Sequence, residues 1–247
     1  MPYTSLGAYT TKQADPFSFT SNQAALAQIK SLSAGIYGEQ RFLLAENTVY
    51  SLALALPTKM GNFGVQANYA GFKNYTENKL GLAYARSLGS KADIGVQFNY
   101  YSYRIPGYNS NTFINFEAGT ILHLTDKLNA GIHVYNPVSV KQVKTSEEKL
   151  ASAYKFGLGY DASDNFYVST ELIKEEDKPV NVVGGIQYHF VKQFFVRAGF
   201  ISETGGGFAG AGVGWKNLRL DVSASYHPQL GISPGLLLIV NFKESNK

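Results

Sequence analysis

Cysteine is absent from the 247 residues, which rules out a disulfide framework, a thiolate metal site and a cysteine nucleophile. Charge is scarce: 16% of residues are Asp, Glu, Lys or Arg, against roughly 25% in typical soluble domains. No apolar run comes near the roughly 18 residues that a membrane-crossing helix needs. The run closest to that, Leu236-Leu237-Leu238-Ile239-Val240, has only the length of a strand. The opening Met1-Pro2-Tyr3-Thr4 lacks the basic region and apolar stretch of a secretory signal. For an exported protein this predicts a mature or recombinant form with a substituted start.

Aromatic residues, at 14%, are plentiful, yet mean hydropathy is only −0.13. In a soluble protein few charges and a middling hydropathy conflict. In a membrane barrel they agree, because one face of each strand meets lipid, the other meets a polar lumen, and the mean washes out. The net charge of +4 and pI near 9.0 come from scattered Lys and Arg, so no nucleic-acid partner is expected.

The alternation is explicit. Ile94, Val96, Phe98 and Tyr100 oppose Gly95, Gln97 and Asn99; Leu218, Leu220 and Val222 oppose Arg219, Asp221 and Ser223. Successive strand side chains point to opposite faces, so each segment has an apolar wall and a polar or small one. From about residue 33 onward there are about fourteen such segments, an even number of the kind outer-membrane barrels use. Short gaps at 58–62, 88–92, 125–127, 161–165, 191–193 and 216–217 alternate with longer, more polar ones at 41–47, 73–78, 105–111, 136–149, 173–180, 202–207 and 227–234.

These features predict an all-β fold, an up-and-down antiparallel transmembrane barrel over 33–247, in the outer membrane of a Gram-negative bacterium, with both termini periplasmic and outer-membrane lipid as its surroundings. Tyr69, Phe72, Tyr75, Tyr100, Tyr101, Tyr103 and Trp215 are candidates for interfacial girdles.

Residues 1–32 stand apart. Asn22-Gln23-Ala24-Ala25-Leu26-Ala27-Gln28-Ile29 reads as a short helix with Ser21 or Asn22 as N-cap. Beside a lumen too wide for wall side chains to fill, Asn22, Gln23, Ala24, Ala25 and Leu26 make a candidate plug, with a loose periplasmic arm as the alternative.

Asp15-Pro16-Phe17-Ser18-Phe19-Thr20-Ser21-Asn22-Gln23-Ala24-Ala25-Leu26 resembles the N-terminal Asn-Pro-Ala element of FadL-like outer-membrane barrels, and in particular that of their PorV/PorQ branch. The stretch from Leu218 to Pro228, followed by Leu230-Gly231, resembles the penultimate strand and loop of that branch. Gln23 stands where the family element usually has proline. The resemblance implies a fourteen-stranded barrel with an N-terminal plug. It implies first a docking barrel for type IX-like secretion or surface display, with secretion components or secreted cargo as partners, and as the alternative a channel for small hydrophobic or amphipathic molecules.

Motifs for chemistry are weak. Gly205-Gly206-Gly207-Phe208-Ala209-Gly210 fits G-x-G-x-x-G but leads into a glycine-rich strand rather than a helix, so it reads as a bend or as room for a plug backbone. His123, His133, His189 and His227 show no metal-ligand spacing, though His133 and His189 both fall on the polar face. No G-x-S-x-G elbow is present. No catalysis, metal or cofactor is expected. The candidate lumen charges are Glu117, Lys155, Glu171, Arg197, Arg219 and Asp221, read as a wall ion-pair network or, functionally, as a selective constriction or plug latch. In the longest outer loop, Lys141, Lys144 and Lys149 are candidate contacts for a partner or anionic headgroups.

Overall fold

A computed structural model describes residues 4–72, 75–107, 111–137 and 151–242. After a short helix α1 (Thr4–Ala8) and 3-10 turns at Ser18–Thr20 and Gln23–Gln28, the chain runs through fourteen strands. They are β1 (Ser33–Gln40), β2 (Thr48–Thr58), β3 (Gly61–Phe72), β4 (Tyr75–Leu88), β5 (Ala92–Arg104), β6 (Asn111–His123), β7 (Leu128–Tyr135), β8 (Ala153–Asp161), β9 (Phe166–Glu175), β10 (Asn181–His189), β11 (Phe194–Ile201), β12 (Gly206–Trp215), β13 (Leu218–His227) and β14 (Gly231–Asn241). Each strand pairs antiparallel with its neighbour in sequence, and β1 pairs with β14 from Ser33↔Asn241 to Glu39↔Gly235, so the barrel has no free edge.

The apolar set of each strand faces outward. On β4, Leu80 and Leu82 are exposed while Gly81, Ala83 and Ala85 are buried. Asn78 and Arg86 bracket that band on the same outer face. An apolar outside and a polar inside, the reverse of a soluble barrel, is the pattern of a membrane barrel.

Four of the longer gaps shrink by more than a residue, the one at 173–180 because β9 runs on to Glu175. β4 already begins at Tyr75, β12 at Gly206 and β14 at Gly231. The connections 202–205 and 228–230 are therefore no longer than 124–127 and 190–193 at the opposite end. Polar strand ends such as Thr76-Glu77-Asn78 had read as loop because the apolar alternation fades beyond the lipid band. The long connection after β7 survives, but Lys141, Lys144 and Lys149 lie outside the described residues.

The aromatic girdle expectation also needs correction. Tyr69, Tyr100 and Trp215 do face outward, whereas Tyr101 and Tyr103 turn into the lumen and pack with Phe113, the Tyr103 and Phe113 rings stacked 6.2 Å apart.

The N-terminal segment lies inside the barrel. Leu6, Tyr9, Phe17, Phe19, Leu26 and Ile29 are buried, and the 3-10 turn at Gln23–Gln28 packs against β3, β4, β5 and β6. Asn22 caps that turn as the sequence suggested, its side chain accepting from the Ala24 N–H at 3.0 Å. The helix is 3-10 rather than α, one compact turn pressed on the wall.

Candidate functional site

Two different surfaces meet where this segment touches the wall. Toward β14, β1, β2, β3 and β4 the contact is mostly apolar: Phe17, Phe19 and Leu26 form one cluster with Ala53, Ala55, Ala83, Ala85, Leu237 and Ile239, and the exception is Asn62 of β3, whose amide donates to the Leu26 and Ile29 carbonyls at 2.7 and 2.8 Å. This explains why the last strand is apolar at consecutive positions. Leu236 faces outward, while Leu237 and Ile239 face inward onto the segment. The sequence reading of a uniformly polar lumen is therefore corrected, because one sector is lined by alanine and aliphatic side chains.

Toward β5 through β10, and again at β13, the contact is polar. Glu117, 2% exposed, is the hub. It accepts from Gln23 Nε2 at 2.6 Å, Lys79 Nζ at 2.7 Å and Asn99 Nδ2 at 2.7 Å, and His133 Nε2 lies 3.0 Å away. Glu171 accepts from the Tyr9 hydroxyl at 2.7 Å and from Ser21 Oγ at 3.1 Å, with Lys155 Nζ 3.9 Å off. Asp161 accepts from Thr10 Oγ1 at 2.8 Å. Gln28 donates to Asp93, which also pairs with His123 at 2.8 Å. Arg219 bridges Asp15 of the segment, 3.1 Å, and Asp221 of the wall, 2.6 Å; Arg197 reaches the same Asp221 at 2.7 Å. The Phe195 ring lies under both guanidinium groups, 4.8 and 4.9 Å from its centre.

All six charges picked from sequence face the lumen, and they fall into three groups: Glu117 alone, Lys155 with Glu171, and Arg197, Asp221 and Arg219 together. The two readings of these charges merge, since each group is at once a wall network and a contact to the segment. His133 and His189 share the lumen face but not a network, His189 lying against Gln187 and Phe195 instead. Sequence reasoning missed Lys79, Asp93, Asp161, Tyr9 and Asp15. Continuing the alternation Glu77, Lys79, Gly81, Ala83 to the strand end would have placed Lys79 on the inner face.

Glycine makes the polar contact close. A Cβ at Gly119 would stand 2.1 Å from Asn22 Oδ1, and one at Gly157 would stand 2.0 Å from the Tyr9 ring. Through the gap at Gly119 the Asn22 amide donates to the wall carbonyls of Thr120 and Ile132, at 3.4 and 3.2 Å. The 205–212 glycines do something else. Gly212 makes room for the Phe195 ring of β11 and Gly210 for the Val222 carbonyl of β13, neither for the N-terminal segment.

The described residues thus form a fourteen-stranded barrel of outer-membrane type, closed on itself and occupied by its own N-terminal segment. Neither a protein-family model nor a curated protein matches the sequence. Among solved structures, the chain is similar to the CymD monoaromatic hydrocarbon channel, with 12% identity, a TM-score of 0.73, and 97% of this chain and 96% of that one covered. It is similar to the toluene transporter TbuX of Ralstonia pickettii (11%, TM-score 0.71, 93% and 94% covered). It is also similar to a FadL homologue of Pseudomonas aeruginosa (11%, TM-score 0.70, 96% of each chain). The fold is that of FadL-like outer-membrane barrels.

Proposed function

We propose that this chain is a non-enzymatic outer-membrane channel for small hydrophobic or amphipathic molecules, with residues 1–32 as its plug and both termini in the periplasm. The observation that carries the reading is the two-sided contact of the N-terminal segment. Buried hydrogen bonds hold it to β5–β10 and β13, while along β14–β4 only Asn62 of β3 bonds to it, at the Leu26 and Ile29 carbonyls, and the rest of the seam is closed by Phe17, Phe19 and Leu26 on alanine and aliphatic side chains. Away from the Asn62 contact, beside Phe17 and Phe19, an apolar guest can occupy such a seam without stranding a buried polar group, the main cost of entering a polar lumen. The outside of the same sector carries an apolar groove of about 860 Å³, walled by Ile36, Leu52, Leu80 and Leu236. Proteins of this fold include ones named as a hydrocarbon channel and a toluene transporter, over nearly the whole of both chains.

The test is uptake of radiolabelled toluene by a Gram-negative host expressing the full chain. Uptake several-fold faster than in the empty-vector host is expected; equal rates at verified surface expression would end the reading. The secretion-docking alternative keeps in its favour only the two short stretches resembling the PorV/PorQ branch, and ranks second. Recovery of a secretion component or secreted cargo with the chain from native membranes would restore it.

A further inference from the structure

At the end of the barrel where β1 begins and β14 ends, a chamber of about 670 Å³ opens inside the mouth. It lies between two stretches of the N-terminal segment, 11–16 and 28–31, and the ends of β1, β13 and β14. Its volume falls within the roughly 300–1,000 Å³ of small-molecule sites. The chamber adjoins the apolar seam, since Ile29 and Ile239 belong to both, and Ala14 and Pro16 extend the apolar surface.

The rest of the lining is polar, with cations in excess of anions. Lys12, Lys30 and Arg219 stand against the single carboxylate of Asp15. Lys12 is paired with Asp164 and Arg219 with Asp15 and Asp221. Lys30 is exposed and makes no salt bridge among the described residues. The lining also holds an unsatisfied donor: Ser33, 1% exposed, whose Oγ has no hydrogen-bond partner among the described residues. Buried hydroxyls are rarely left this way in native structures.

We propose that this chamber is a binding site for compact organic monoanions, an apolar body of about benzoate size carrying one carboxylate. The body lies on Ala14, Pro16, Ile29 and Ile239, and the carboxylate meets Lys30 and Arg219 and accepts from Ser33 Oγ. A neutral hydrocarbon gains nothing from that rim, and an organic cation is repelled by it. The site deepens the channel reading, on which it rests, by naming the guest at the aqueous end of the seam.

The probes are benzoate, toluene and benzylammonium, which share one apolar body and differ in charge. Binding is measured calorimetrically on the full chain in nanodiscs at low ionic strength. Benzoate is expected to bind, with both other probes weaker by roughly tenfold or more, the worth of a charge-assisted hydrogen bond. Lys30→Glu should weaken benzoate by a similar roughly tenfold factor, and Ser31→Trp, which fills the chamber from its rim, should abolish binding. Heat-modifiable gel migration confirms that both variants keep the barrel. Equal affinity for benzoate and toluene, or benzoate binding untouched by both substitutions, overturns the site. Toluene uptake without benzoate binding likewise overturns the site and leaves the channel standing. Benzoate binding without toluene uptake supports the site while the channel reading falls.

Discussion

Gln23 of the N-terminal segment donates to Glu117 of β6 across 2.6 Å, joining positions 94 residues apart in a site from which water is excluded. The same carboxylate serves Lys79, Asn99 and His133. Its removal takes the acceptor from three wall groups and one buried anchor from the segment together. Breaking a buried pair by deleting one partner costs about 3–5 kcal/mol. Glu117→Ala should therefore expose residues 4–30 to protease in detergent while the barrel stays folded on gels. Glu117→Gln, which keeps an acceptor oxygen, should sit between it and wild type. If Glu117→Ala leaves the cleavage rate of the segment unchanged, the hub is decoration.

Gly157 and Tyr9 test how close the segment presses on the wall. A methyl at Gly157 would stand 2.0 Å from the Tyr9 ring, and Tyr9 is fully buried. Gly157→Ala should cost about 1–3 kcal/mol by overpacking. Tyr9→Ala should cost about 3–5 kcal/mol by cavity formation. The double variant should cost less than the sum, because the clash disappears once the ring is gone. Urea unfolding midpoints in liposomes measure all three, and strict additivity would refute the contact.

The barrel itself was legible because its physics is local. Outward Ile94, Val96 and Phe98 alternate with inward Gly95, Gln97 and Asn99 on a period the sequence displays directly. The inward charges Arg197, Arg219 and Asp221 were legible for the same reason. What failed was everything set across the lumen. Lys79 was hidden because its strand end is polar on both faces and so resembled a loop. Leu237 and Ile239 broke the alternation because a segment more than 200 positions earlier covers their inner side. Asp93 and Asp161 stand at turn ends, where nothing in the local pattern shows that Gln28 and Thr10 will meet them.

Leu82 probes the outer band. It is 59% exposed and lies on the outer face between Asn78 and Arg86. An arginine at mid-bilayer on such a face costs about 2–4 kcal/mol, falling toward zero near the interfaces. Leu82→Arg should lower stability in lipid vesicles by that amount, and Asn78→Arg should barely change it. The reverse order would mean that the band is misplaced along the wall.

Lys12 and Asp164 form a latch of another kind, at the exposed rim. The hydrogen bond from Lys12 holds the Asp164 carboxyl below its ordinary value, and the same bond raises the Lys12 ammonium. A depressed carboxylate contributes stability above its unfolded value and loses it as pH falls through the folded one. A raised ammonium contributes below its unfolded value and loses it as pH rises through the folded one. The contribution is therefore flat across neutral pH and fades only at the two extremes. Because both groups face water, it is also small and screened by salt. Lys12→Ala should leave protease protection of residues 4–30 nearly unchanged at neutral pH, and the slight difference should vanish at high ionic strength. A large loss of protection at neutral pH that survives salt would move the anchoring of the segment from the buried hub at Glu117 to this rim.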